Sequence, residues 1–555
     1  MKRFARKSAW AVTLAAAIWL PATLAAQTER TVTALPGQRP PRPALPPAQK
    51  DGIPLSLDAA VGMALANDVD LDVTVNTAES TKWSLFSDLG IFDPLLQAGV
   101  TRSHSQSPAS SVLTGANVYV TDATNFSASA TQLLPTGGTL SLGLTGQNLR
   151  SNSSFSSVNP SKTGGLTLNL NQPLLKNFGY DTTVWLIHIA KDTRDASYQD
   201  YIRSVQTTVN GVEQAYWDLV YAVQNLEVKR EALTVAKDLN RITQIKIDVG
   251  SLAPIEIYQT LFGVATAEQD IITAEGLVGD AQDRLKRLLN FDPKEWATPI
   301  LPTDQVQAEA IQVDAEQGVQ RATARRPEVV KQAFLNDSDK IRYEYWGNQT
   351  LPNVSLVGSY GAVGLAGSFF VPDPNDPTGR RLIPAGESPF SDAFSDIFHL
   401  RNKNWSIGLN VSYPIFNRAA RGQKSAAKYL WESDKALLTT VQQNIVVEVR
   451  AAARAIDTAA RQILAGQKGR ELAEKNLDAE KKKFDNGMST TFQVNQVQSA
   501  LSIARTTELQ ARAAYRKALA SYHLAIADIL DEKKIRVEGL PATKSPEIPP
   551  LAVRQ

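Results

Sequence analysis

The chain has 555 residues, 43% of them apolar and 21% charged, a formal net charge of +2 and no cysteine. So even a charge balance gives no electrostatic reason for nucleic-acid binding. The lack of cysteine excludes disulfides, thiolate catalysis, thiolate metal sites and a lipid anchor on an N-terminal Cys.

The chain opens MKRFARKSAWAVTLAAAIWLPATLAAQ, and residues 1–26 read as a secretory signal. Lys2, Arg3, Arg6 and Lys7 form its charged region, Trp10 to Leu20 its apolar core, and Ala25 and Ala26 offer a cleavage site. An uncleaved anchor helix is the alternative, but the apolar run is short against the ~20 residues of a span. Loss of the four basic leader residues turns a net charge of +2 into −2. Residues 27–53 carry Pro36, Pro40, Pro41, Pro43, Pro46 and Pro47 and read as a tether. The tail, 532–555, has the same character after Arg536.

Between these ends the chain repeats itself. SLDAAVGMALANDVDLDV resembles DAEQGVQRATARRPEVVK, with Ala64 falling on Ala322 and Asn67 on Arg325. The same offset carries Pro94 onto Pro352. Further on, NQPLLKN matches SYPIFNR, pairing Pro173 with Pro414, and KIDVG matches KFDNG. Four matches in one order indicate a duplication. The halves are 54–290 and 313–531, joined by 291–312, and each reads helix, strands, long helix, turn, helix.

The helices are long. From Thr183 to Asp248 there is no proline and one glycine, Gly211. Ile202, Val205, Val209, Val212, Tyr216, Leu219, Val223 and Leu226 step by threes and fours, the heptad spacing of a coiled coil. The counterpart, from Arg418 to Asp485, carries Leu438, Val441, Ile445, Val449, Ala452, Ile456, Ala459 and Ile463 on one stripe. Shorter helices are expected near 57–90 and 254–290. Such stripes alone would fit an ordinary bundle core.

Strands occur only between the helical blocks. In GGLTLNLNQPLLKNFG, Leu166, Leu168 and Leu170 alternate with Thr167, Asn169 and Asn171. In NWSIGLNVSYPIF, Trp405, Ile407, Leu409 and Val411 alternate with Ser406, Gly408, Asn410 and Ser412. LLQAGVTRS and SLVGSYGAV complete the set, each close to the ~9–11 residues of a tilted membrane strand. A lone hairpin cannot span a bilayer, because its edge amides stay unpaired in hydrocarbon. A barrel shared among chains is therefore expected; a soluble sandwich is the alternative. FSASATQLLPTGGTLSLGL, 126–144, is a further hairpin-like unit with Gly137 and Gly138 in its turn.

The signal, the duplicated helix–strand–helix halves, Pro173 and Pro414 at the strand–helix junctions, and Gly250 and Gly487 at the helix-hairpin tips together resemble the TolC family of outer-membrane efflux proteins. The resemblance covers roughly residues 54–531. It implies a mainly α fold with a β membrane segment. In it, a trimeric β-barrel, four strands per chain and twelve in all, continues into a long periplasmic α-helical barrel built from the two tandem repeats. Leu166, Leu168, Leu170, Trp405, Ile407 and Leu409 would face outer-membrane lipid, and Asn169 and Asn171 the lumen. The unit at 126–144 would lie outside the membrane or lengthen the wall, with Pro135–Gly138 as an extracellular turn; extra barrel strands are the alternative.

The resemblance also implies a periplasmic constriction at the tips. Glu256 falls where the family has an acidic residue. Phe484 stands where some members have tyrosine, Ser489 where they have arginine, and Gln493 and Gln496 where they have aspartates. Glu256 would be the remaining acidic group nearby, and closure would rest on packing of Phe484, Met488 and Phe492. The implied function is a passive exit duct of a tripartite efflux or type I secretion system. Its partners would be two further copies of itself, a periplasmic adaptor (membrane fusion) protein, an inner-membrane pump and outer-membrane lipid. An envelope stalk with a structural or adhesive role is the competing reading. An enzyme has no nucleophile–base pair, metal cluster or phosphate loop to support it. His104, His188, His399 and His523 are scattered without ligand spacing, and nothing points to a cofactor.

Overall fold

A computed structural model describes residues 52–109, 116–305, 313–376, 381–535 and 537. The signal and nearly all of the tether and tail lie outside the described residues. The described chain forms two compact units. One gathers 52–79, 200–327 and the described residues beyond 443; the other gathers 80–199 and 328–443.

The elements run in chain order as β1 (Ile53–Leu55), α1 (Leu57–Asn67), α2 (Val69–Leu89), β2 (Leu95–Pro108), β3 (Val118–Leu133), β4 (Thr139–Ser151) and β5 (Val158–Pro173). Then come α3 (Tyr180–Thr183), α4 (Trp185–Asp248), α5 (Glu256–Leu288), β6 (Ile300–Pro302), α6 (Ala315–Arg325) and α7 (Pro327–Gln349). The chain continues through β7 (Asn353–Pro372), β8 (Leu382–Ser388), α8 (Phe390–Phe398) and β9 (Asn402–Ser412). It ends with α9 (Arg418–Asp485), α10 (Thr491–Ala525) and α11 (Ile529–Glu532).

The duplication is visible in how the helices break. The helix expected near 57–90 splits at Asp68, which ends α1, while its carboxylate accepts from the Asp70 N–H at 2.9 Å. The repeat breaks at Arg326, the residue the duplication places opposite Asp68. Here the cause is Pro327, which has no N–H to donate and forces the residue before it into extended backbone.

The first unit is helical, with a small parallel pairing of β1 and β6. The α4 stripe forms its core: Val209, Val212, Tyr216 and Leu219 are fully buried with Leu55, Leu285, Leu289 and Ile300. The buried Tyr216 hydroxyl lies 2.6 Å from the Asp304 carboxylate and 3.0 Å from the Leu55 carbonyl, so this polar tip in the core is satisfied. The α9 stripe is buried at Ile445, Val449, Ile456, Ala459 and Ile463. α4 has 64 residues, about 95 Å of helix. No described helix is long and apolar enough to cross a membrane.

The second unit is built on one antiparallel sheet, ordered β2-β3-β4-β5-β7, with both β8 and β9 on the outer edge of β7. Two expectations change here. The unit at 126–144 is neither outside the sheet nor above it. It supplies most of β3 and β4, paired along their length between β2 and β5. Each chain therefore has six strand positions instead of four. The Pro135–Gly138 turn, expected among the extracellular loops, lies instead at the helix end of the sheet, where β5 gives way to α3. The Gly179 N–H donates to the Thr136 carbonyl at 3.2 Å, and Gln172 bonds Thr136 through both side-chain groups. Gly137 has φ +84°, and a Cβ there would strike the Asn177 carbonyl oxygen, so the turn needs glycine twice over.

Just below the sheet, Asp192 on α4 is half-buried against Asp337 and Ser338 of α7. Burial, reinforced by Asp337, pushes its carboxyl up to about 7. A raised acid binds its proton more tightly folded than unfolded, so stability rises as pH falls from about 7 toward the ordinary carboxyl range. Asp192→Asn, which mimics the neutral form, should raise the melting temperature at pH 8 and change it little at pH 4. Thermal unfolding at the two pH values checks this.

Candidate membrane sheet and helix-tip gate

Partners across an antiparallel sheet share a face, so the register sorts the side chains. One row reads Leu96, Ala130, Leu142, Leu168, Tyr360 and Trp405 from edge to edge. Its neighbour on the opposite face reads Gln97, Ser129, Gly143, Thr167, Gly361 and Asn404. The sheet thus has one apolar and one polar, small-residue face. Leu166, Leu168 and Leu170 fall on the apolar face with Trp405, Ile407 and Leu409, while Asn169 and Asn171 fall on the other. Trp405, Ile407, Leu409 and Val411 are all exposed in the single chain.

Toward the loop end the apolar face closes under α8. Phe126, Gly146, Gly164 and Gly364 are successive partners in one row. At Gly364 a Cβ would collide with the Ala393 carbonyl, and at Gly164 it would come within 2.8 Å of Ile397. The glycines therefore admit the helix onto the sheet. Ala393 and Ile397 are fully buried, and the Phe390 ring lies 5.1 Å from that of Phe126. One row further on, the same face turns polar with Arg102, Thr124, Asn148 and Lys162. Sequence reasoning missed α8; FSDAFSDIF carried the signal, with aromatic and apolar residues on one helical face.

At the opposite end the sheet hands over to helices. β5 ends at Pro173, whereas β9 ends at Ser412 with Pro414 two residues beyond. Leu174, Leu175, Phe178, Tyr413, Ile415 and Phe416 are exposed around these junctions.

The helix-hairpin tips both lie in the first unit. Gly250, φ +76°, turns α4 toward α5, and Gly487, φ +73°, turns α9 toward α10. In each turn only glycine adopts such a φ without strain. Phe484 is not exposed at the tip. It is 3% exposed, packed with Leu239, Leu477, Val494, Val497 and Leu501 inside one protomer. Lys246 covers it, with its ammonium 4.0 Å from the ring and donating to the Phe484 carbonyl at 2.8 Å. Met488 and Phe492 lie outside this cluster and are exposed in the single chain.

Ser489, in place of an arginine, donates its hydroxyl to Glu480. That bond, and then Lys483, hold the Glu480 carboxyl below its ordinary range. Glu256 accepts from the Thr491 hydroxyl, linking the two tips, and Gln493 and Gln496 are exposed on the first turns of α10. Glu256 is not the only acid nearby: Asp248 and Asp485 are exposed at the turns, Asp485 3.8 Å from Lys246. Lys246 and Glu480 were the residues that sequence reasoning overlooked. The contacts of Lys246 with Phe484 and Asp485 depend on how α4 and α9 pack, which no spacing within either helix reveals, whereas Glu480 is held locally by Lys483 and Ser489.

The chain belongs to the outer membrane efflux protein family, whose pattern it matches over residues 96–290 and 318–526. It is an efflux channel protein of the outer membrane, from a family of ducts and not of enzymes. Its fold is that of solved outer-membrane channels. CmeC of Campylobacter jejuni superposes with a TM-score of 0.62 at 17% identity, over 88% of this chain and 90% of that one. VceC of Vibrio cholerae gives 0.60 at 13%, over 85% and 95%, and the open state of MtrE of Neisseria gonorrhoeae 0.56 at 14%, over 85% and 89%. No curated protein sequence matches the chain.

Two variants probe these regions. Leu168→Arg or Leu409→Arg puts a charge on the apolar face and should cost ~2–4 kcal/mol per site at the bilayer midplane. The expected outcome is loss of assembled, membrane-inserted protein, read as the heat-resistant oligomer on gels. Phe484→Ala should cost about 3–5 kcal/mol by opening a cavity between the tip helices. Faster amide exchange confined to the two turns is the readout.

Proposed function

We infer that three copies of the chain assemble into a passive exit duct. It couples to an inner-membrane pump through a periplasmic adaptor, in a tripartite efflux or type I secretion system. The carrying observation is the two-faced sheet: an apolar face suits lipid, a Ser/Thr/Asn/Gly face suits a water-filled lumen, and a stalk needs neither. The duct has no energy source of its own, so the pump drives transport. Val249, Ile255, Tyr258 and Phe262 at the first tip, and Met488 and Phe492 at the second, are exposed apolar side chains that suit docking of the adaptor.

The tips serve as the gate. Gln493 and Gln496, repeated three times, form neutral amide rings, while Glu256 is engaged by Thr491. Neutral amides hold no fixed charge to concentrate a multivalent cation. Single-channel recording in planar bilayers tests both points. A conducting pore is expected, blocked weakly by divalent cations and more strongly after Gln493→Asp and Gln496→Asp. A protein that never conducts overturns the duct. Strong block in the parent, unchanged by the substitutions, overturns the neutral gate.

A further inference from the structure

We propose that the β2 edge of one copy pairs with the β8/β9 edge of the next, so that three copies close a wall of eighteen strands. This rests on the trimeric duct reading above.

The strand count comes from the pairing. β3 and β4 are not an appendage. Thirteen consecutive residue pairs join β3 to β4, and β4 is joined to β5 from Thr139↔Asn171 to Leu149↔Ser161. The hairpin continues both faces without interruption: Ala128, Ala130, Leu142 and Leu144 on the apolar side, Ser127, Ser129, Gly143 and Thr145 on the polar side. A hairpin lying outside the wall would have no reason to match its neighbours row by row. The last strand position is filled by β8 and then β9, interrupted only where α8 crosses over the glycines.

The two outer edges fit one occupant. Every residue of β2 and of β9 is exposed, whereas the inner strands are mostly half-buried. Both edges carry the apolar stripe, Leu96 and Val100 on β2 and Trp405, Ile407 and Leu409 on β9, so both lie at membrane depth with one row of backbone groups unpaired. Hydrocarbon offers those groups no partner, and each left unpaired costs several kcal/mol. A single copy cannot close on itself, since membrane barrels begin at about eight strands. β2 runs away from the helix end and β9 runs toward it, so edges of adjacent copies meet antiparallel, like every other pair in the sheet. At equal tilt the diameter scales with strand number, which makes this barrel about 1.5-fold wider than a twelve-stranded one.

The test is electron cryo-microscopy of the full chain, purified as the assembled channel, in cross-section through the barrel. Eighteen strands in a three-fold ring are expected. A three-fold ring of twelve, with residues 118–151 outside it, overturns the proposal and leaves the duct reading intact. Absence of any closed ring overturns both. A second measurement uses the cysteine-free background. Ser141 and Asn169 are register partners on the lumen face, so Ser141→Cys with Asn169→Cys should cross-link on oxidation in intact outer membranes and lose maleimide reactivity, each single variant remaining reactive. Two thiols that stay reactive after oxidation count against the hairpin in the wall. Deleting 118–151 rejoins β2 to β5 and should narrow the ring to twelve.

Discussion

The constraint on which the membrane end depends is that a backbone amide in hydrocarbon has only other backbone to bond. It forces the strands into one uninterrupted ladder and makes each outer edge a docking surface. It also explains why residues 118–151 take the form they do. Chain inserted into a membrane wall must come as paired strands, and as an even number of them, or the last edge would run the wrong way for its neighbour. Full pairing of β3 with β2 and of β4 with β5 meets that condition.

The glycines show the same constraint acting on side chains. A helix can lie on the sheet only where the sheet surface is bare: Gly164 and Gly364 make room for α8, and Gly146 in the same row makes room for the Phe126 ring that packs on it. The face below them is largely apolar, and the row beyond them carries Arg102, Thr124, Asn148 and Lys162. In the helical unit the governing term is apolar burial along stripes, and Tyr216 and Lys246 are polar groups held there by hydrogen bonds.

At the tips, packing and charge both act within one protomer. The aromatic ring of Phe484 holds the hairpins of one protomer together, and Lys246 and Glu480 tie the turns down. That leaves Gln493, Gln496, Met488 and Phe492 on the surface, where a partner helix or an aqueous pore would meet them.

By itself the sequence determined what is periodic or local. The heptad stripes of α4 and α9, the alternation of Leu166 to Leu170 and Trp405 to Val411, the duplication, and the turn glycines at 250 and 487 are all visible, because helix, strand and left-handed turn each impose a short-range pattern. Tertiary structure alone decided the rest. Whether 126–144 entered the sheet was settled by its pairing with residues on β2 and β5. The burial of Phe484 was settled by α4 packing against α9 and α10. The end of the sheet at which Pro135–Gly138 lies was settled by the direction of β3. Each is a contact between residues far apart in the chain, chosen by which surfaces and backbone groups remain to be satisfied once the local elements exist.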